Sequence, residues 1–207
     1  MEDMPTDDTI TYVFRQTMND QTPETSAETP APGRRWYALK VFYNKVFALR
    51  DELAERHGME SYIPLTTVMV ERRGNRRKET RPLISSLMFV RANPQAASEL
   101  QGIVEGRAMV YTRRTDTGRE PEPIPDREME LFMLVTSGDS GEIEYLGEDS
   151  PRYHCGDRVR VTDGPFKGSE GHIVRIRDNR RLVVTIEGLC AVATGYIPRP
   201  FLCRIDD

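Results

Sequence analysis

Arg72-Arg73-Gly74-Asn75-Arg76-Arg77-Lys78, with Arg81 close behind, is the densest chemistry-bearing stretch of the chain: six cations opposed only by Glu71 and Glu79. Guanidinium and ammonium groups at this density bind phosphate oxygens through charge and forked hydrogen bonds. Gly74 marks a tight hairpin, expected as a type II′ turn over 73–76. Arg73, Arg76, Arg77 and Lys78 flank its tip. Two uses fit: a contact to a nucleic-acid backbone, or a solvated edge whose charges resist strand-to-strand association. Nothing in the hairpin identifies bases.

Enzymatic chemistry finds no comparable foothold. His57, His154 and His172 have no metal-ligand spacing relative to one another or to the cysteines, although His154 and Cys155 are adjacent. His57, near a helix end, reads as a dipole partner. Gly164-Pro165-Phe166-Lys167-Gly168-Ser169 has the residue types of a phosphate loop but not the order G-x-x-x-x-G-K-[ST]. Neither a Ser-His-Asp set nor a carboxylate pair stands out, so a non-enzyme without metal or cofactor is expected. Three cysteines (Cys155, Cys190, Cys203) with no C-x-x-C pair suit inert, partly buried thiols in a reduced cytosol. No apolar run reaches the ~18 residues of a membrane span, and the polar, acidic start is unlike a signal peptide. A cytoplasmic monomer is expected.

The formal charge of −4 is unevenly spread. Residues 1–33 hold seven acids against Arg15 alone, a balance of −6 that leaves +2 for the remainder. Pro, Thr, Ser and Ala dominate 17–33, too little apolar surface to offset ordering entropy, so a disordered acidic tail is expected over 1–33.

The hairpin needs a frame, and one starts at Arg34. Trp36–Val41 is β-prone. Asn44 is expected to cap a helix running to about His57, with Val46, Leu49 and Leu53 on one face and Gly58 as its stop. Strands are expected near 61–63, 66–72, 76–81 and 87–90. Asn93-Pro94 opens a helix to about Leu100, asparagine as cap and proline as first helical residue. After a strand near 108–112, Pro125-Asp126 begins a helix whose Met129, Phe132 and Met133 share a face and which ends at Gly138.

Further along, Val159 and Val161 alternate with Arg158, Arg160 and Thr162, the period of a half-buried strand. Asp163-Gly164-Pro165 breaks it, and Gly168 and Gly171 turn the chain again. Strands near 158–162, 171–177, 182–187, 190–196 and 200–204 make a small barrel over 153–207, at the lower limit for a self-sufficient core. Pro165-Phe166 at a loop tip therefore reads either as a partner surface or as the plug of the barrel end. Residues 138–152 read as a flexible tether, unless Ile143, Tyr145 and Leu146 pin it to a domain.

The glycine spacing over 158–173 resembles the KOW motif. Upstream, the β-α-β-β-β-α-β order with a terminal helix resembles the amino-terminal domain of the NusG family. Trp36-Tyr37, Tyr62-Ile63-Pro64, the basic hairpin, and Pro82-Leu83 leading into Leu87-Met88-Phe89-Val90 carry that likeness. The implied fold class is α+β: a sandwich with an antiparallel sheet over 34–137, a linker, then a KOW β-barrel. The implied activity is operon-specific transcription elongation or antitermination. The amino-terminal domain would bind the clamp helices of RNA polymerase and favour the elongating state, a population shift. The resemblance puts Leu87 and Phe89 at the family's clamp-binding positions, with Phe42 and Tyr43 beside them; the other reading of Phe89 is sheet-to-helix packing. It aims the hairpin at upstream or non-template DNA, and Phe166 with Pro165 at NusE or Rho. Leu83-Ile84-Ser85-Ser86-Leu87 stands where the family usually has aromatic-Pro-Gly-Tyr. With the acidic tail and Gly188-Leu189-Cys190, this resembles the specialised RfaH and UpxY paralogues of capsule and polysaccharide operons. The alternative class is a ribosome- or RNA-binding KOW module, which the acidic balance opposes.

Overall fold

Trp36 and Ala38 alternate with Tyr37, Leu39 and Val41, which makes β1 (Arg35–Val41) apolar on both faces and places it inside a sheet. In this computed structural model, which describes residues 33–72, 74–137, 143–147, 154–176 and 179–205, β1 pairs antiparallel with β5 (Leu87–Ala92). On its other side it takes β6 (Ala108–Val110) and β9 (Pro123–Ile124), and β2 (Glu60–Tyr62) flanks β5. Residues 1–32 of the expected acidic tail, and Arg73, lie outside the described residues.

Helices cover both faces. Leu39, Val41, Met88 and Val90 share a core with Val46, Leu49 and Leu53 of α1 (Val46–His57) and Leu100 of α2 (Pro94–Ile103). Trp36, Ala38, Leu87 and Phe89 share theirs with Met129, Phe132 and Val135 of α3 (Asp126–Thr136). Gly58 ends α1 at φ 57°, its N–H reaching Ala54 O at 3.1 Å while the Met59 N–H reaches Leu53 O at 3.2 Å. Asn93 caps α2 as expected, accepting the Ala96 N–H at 2.8 Å. Asn44 does not cap α1. It sits in the left-handed region at φ 54°, away from extended cap geometry, and Lys45 precedes the helix without a side-chain cap.

Two hairpins project from this sandwich. The first, β3 (Leu65–Arg72) with β4 (Asn75–Pro82), is the basic one. Its ladder closes at Arg72 opposite Asn75, so Gly74 (φ 79°) is the third residue of the turn. Type II′ puts glycine second, and the expected turn is corrected by one residue. The second hairpin, β7 (Thr112–Thr115) with β8 (Gly118–Pro121), was not foreseen beyond a strand ending near 112.

The carboxy-terminal strands run β10 (Glu144–Gly147), β11 (Arg158–Val161), β12 (Glu170–Ile176), β13 (Asn179–Ile186), β14 (Cys190–Tyr196) and β15 (Leu202–Arg204), in the spatial order β10-β14-β13-β12-β11-β15. Gly171 lets β12 and β13 close together: a Cβ there would stand 2.2 Å from Val183 O. Within the expected 138–152 tether, Glu144–Gly147 is a strand on β14, held by an Arg181–Glu144 ion pair at 2.7 Å. Pinning by this segment, the alternative reading, is what occurs there. The whole is α+β with antiparallel sheets, as expected.

Candidate functional site

The register of the basic hairpin divides its cations. Arg76 and Lys78 stand opposite Glu71 and Met69 on one face, whereas Arg77 stands opposite Val70 on the other. Arg76 pairs with Glu71 at 3.4 Å and Arg77 with Glu79 at 3.3 Å, both in open solvent. Lys78 makes no ion pair among the described residues. Exposed pairs of this kind are worth about 0–1 kcal/mol and exchange readily for a phosphate. Met69, exposed beside Lys78, adds an apolar spot.

At the same end of the sheet, where β1 runs out and β5 begins, a short 3-10 turn carries Phe42–Asn44. Tyr43 is 84% exposed and meets Phe42 edge-on at 6.5 Å between ring centroids. Its backbone is left-handed (φ 58°, ψ 26°), as is that of Asn44. Such conformations cost a bulky residue on the order of 1–3 kcal/mol and persist where surrounding structure imposes them. The Phe42 N–H donates to Arg107 O at 2.8 Å, and Arg107 is itself ion-paired to Glu52. The turn is thus anchored to the segment that leads into β6 and through it to α1, and it presents an aromatic ring to solvent.

Leu87 and Phe89 are not part of this exposed surface. They are 4% and 0% exposed, on the face under α3, with the Phe89 ring 5.4 Å from Phe132 and 6.4 Å from Tyr62. As accessible contact residues they are corrected: Phe89 packs the sheet against a helix. Tyr62 reinforces the same joint. The Thr136 hydroxyl donates to Phe132 O at 2.7 Å, so it accepts from the Tyr62 hydroxyl at 2.6 Å. Burial raises the Tyr62 pKa above the ordinary tyrosine range.

The outer face of α3 receives the barrel. Val159, Val161, Phe166, Leu182, Val184 and Ile186 join the core that includes Phe89 and Phe132. Phe166 is 5% exposed, so this ring is packed inside and does not offer a partner surface here; Pro165 beside it is exposed. The inward turn follows from Asp163 accepting the Gly164 N–H at 2.8 Å and from the Ser169 N–H donating to Phe166 O at 3.0 Å. Polar contacts frame the joint. The Glu187 N–H donates to a Glu128 carboxylate oxygen at 3.0 Å, and Arg127 of α3 pairs with Glu170 of β12. Glu170 has only 8% of its side chain exposed and also accepts from Arg160 at 2.8 Å, with Arg158 at 3.8 Å. Burial alone would raise its carboxyl pKa, but the bonds from Arg160 and Arg127 outweigh this and hold it below the ordinary range.

Among the described residues no group of three or more His, Cys, Asp or Glu is placed to hold a metal ion, and no helix is long and apolar enough to cross a membrane. Cys190 is buried, while Cys155 and Cys203 are exposed, so the expectation of inert thiols fits the first only.

This sandwich joined to a barrel with a Gly-Pro turn matches known proteins over most of its length. The family model described as transcription termination factor nusG covers residues 34–133, and the KOW motif covers 155–187. The transcription termination/antitermination protein NusG of Vibrio vulnificus is 28% identical over 169 residues, spanning 75% of this chain and 87% of the relative. The Escherichia coli K12 protein of that name is 28% identical, with 75% and 88% covered. The chain belongs to the NusG family of transcription termination and antitermination factors.

Proposed function

We propose that this protein is an operon-specific antitermination factor of the RfaH and UpxY kind, and that it grips RNA polymerase through the Phe42–Tyr43 turn while the basic hairpin holds upstream or non-template DNA. The exposed, left-handed Tyr43 carries the reading: an aromatic kept in a costly conformation, in solvent, at the end of the sheet that roots the cationic arm. Leu87 and Phe89 act from beneath by holding α3 in place. Arg76, Arg77 and Lys78 supply phosphate contacts, each adding about 0.7–0.9 to the salt slope of binding; Arg73 belongs with them by its place in the turn.

The docked barrel is a resting arrangement in this reading. A second partner such as NusE or Rho reaches Phe166 only after the barrel leaves α3, whereas Pro165 beside it is exposed from the start. Binding polymerase in its elongating conformation shifts the population away from the paused one; a few kcal/mol of differential affinity suffice.

The test uses purified full-length protein and RNA polymerase, with retention on immobilised polymerase and run-through of a terminator as readouts. Tyr43→Ser should weaken retention by roughly thirtyfold, the equivalent of a hot-spot aromatic at about 2 kcal/mol, and run-through should fall with it. Unchanged retention with Phe42→Ser and Tyr43→Ser combined removes the turn from the interface. Capture of ribosomes in place of polymerase from the same column refutes the transcription reading.

A further inference from the structure

The second hairpin has a composition that packing does not explain. From Arg113 to Glu120 every side chain is exposed except the half-buried Thr115, so the ribbon rests on little beyond its own ladder. Two-stranded ribbons are marginal in water. In this one Arg114 stands directly opposite Arg119. Like charges facing each other across a ladder are destabilising, and neither arginine makes an ion pair among the described residues. Arg113, by contrast, faces Glu120 on the other side of the ribbon. The uncompensated pair flanks a tip in which the Thr115 hydroxyl bonds Gly118 O at 3.2 Å and meets the Thr117 hydroxyl at 3.3 Å. Arg114, Thr115, Asp116, Thr117, Gly118 and Arg119 line an open depression there.

We propose that the β7–β8 ribbon is a second nucleic-acid arm, with Arg114 and Arg119 straddling the phosphate backbone and the tip threonines adding hydroxyl contacts. The Cα atoms of facing residues stand about 5 Å apart, and phosphates recur every ~3.4 Å of axis along a strand, so one short backbone segment meets both guanidiniums. Arg and Thr are among the usual phosphate donors, and a two-stranded ribbon is slim enough to follow a groove. Asp116 at the tip works against binding, which keeps the contact modest and dependent on both arginines. Placement favours nucleic acid over an acidic protein. The first arm springs from the β2 edge and the second from between β6 and β9, on the far side of β1. Their roots are about three strand spacings, ~14 Å, apart, a gap that one duplex bridges. The assignment goes beyond the function proposed above, which gives this ribbon no role.

The experiment is fluorescence anisotropy of the full-length protein with a labelled 20-base-pair DNA duplex and, separately, a single-stranded RNA of the same sequence, across a salt series. Arg114→Ala with Arg119→Ala removes a repulsive pair, so folding is not endangered. It should flatten the duplex salt slope by about 1.8, two phosphates at ~0.9 each, or the RNA slope by about 1.4; whichever probe responds names the source of the phosphates. Slopes and affinities unchanged with both probes overturn the proposal. So does unchanged nucleic-acid binding with weakened polymerase retention, which assigns the arginines to an acidic protein surface. Arg76→Ala with Lys78→Ala, run in parallel, reports on the first arm alone and keeps the two readings separable.

Discussion

Arg127→Ala isolates the joint between α3 and the barrel. Arg127 is 64% exposed whereas its partner carboxylate on Glu170 is 8% exposed, so the pair is half solvated. A hydrogen bond to a charged group is worth about 1.5–3 kcal/mol when desolvated, and a surface pair about 0–1. About 1 kcal/mol is a fair value here, because Glu170 keeps Arg160 within its own barrel after the change. The docked state should therefore open about fivefold more often. The reporter is the Glu187 amide, whose acceptor is Glu128 across the joint; its hydrogen exchange, followed by NMR, should quicken by that factor while Leu182 and Val184 in the barrel core keep their protection. Arg127→Glu sets two carboxylates together at a cost between the ~1 kcal/mol of bulk water and the ~4 near a protein surface. About 2 kcal/mol corresponds to roughly thirtyfold. The acid dependence has a definite sign: with its pKa depressed, Glu170 contributes fully above the ordinary glutamate value of 4.5 and loses that contribution as pH falls through the depressed one. Glu187 exchange indifferent to Arg127→Glu at neutral pH refutes the account of the joint.

Phe132→Ala should lower stability by about 3–5 kcal/mol, read from the urea midpoint, because the fully buried ring packs on Phe89 and belongs to the core shared by sheet and barrel. One substitution should act with opposite signs at two glycines. Gly171→Ala drives a Cβ into Val183 O and should unfold the barrel, visible as loss of its dispersed NMR signals. Gly102→Ala meets nothing within 4 Å and lies in α2, so it should raise stability by about 0.5–1 kcal/mol.

The frame was readable where local chemistry and tertiary packing agree. Val46, Leu49 and Leu53 share a helical face and are buried; Asn93-Pro94 and Gly58 carry their helix-end signals in their own side-chain and backbone preferences. Asn44 misled because its cap propensity lost to a left-handed turn imposed by the end of β1, an effect that local sequence does not encode. The β7–β8 ribbon was missed because Thr112–Pro121 has no apolar alternation: a ribbon that packs on little leaves no burial pattern. Among site residues, exposure was the weak point. Phe89 and Phe166 both carry the aromatic signature of a contact surface, and both are interior. Small cores have few large rings to draw on, so a phenylalanine in a fifty-residue barrel or beneath a single helix is first a packing element.

That economy bears on how the protein is controlled. Phe166 belongs to the core that the barrel shares with α3, so a partner requiring that ring competes with docking and loses apparent affinity by the fraction of barrels undocked. A partner that used Tyr196, which is exposed in the docked barrel, would bear no such penalty and could not sense whether the barrel is docked. Coupling between the two halves therefore requires a shared face. Because barrel and α3 belong to one chain, their effective concentration stays high, and a single half-solvated ion pair adjusts the balance without deciding it. The apolar contacts supply most of the docking strength, while Arg127 and Glu170 supply its dependence on salt and acid. The Phe42–Tyr43 turn and both hairpins take no part in this joint, so the contacts proposed for them need no undocking of the barrel.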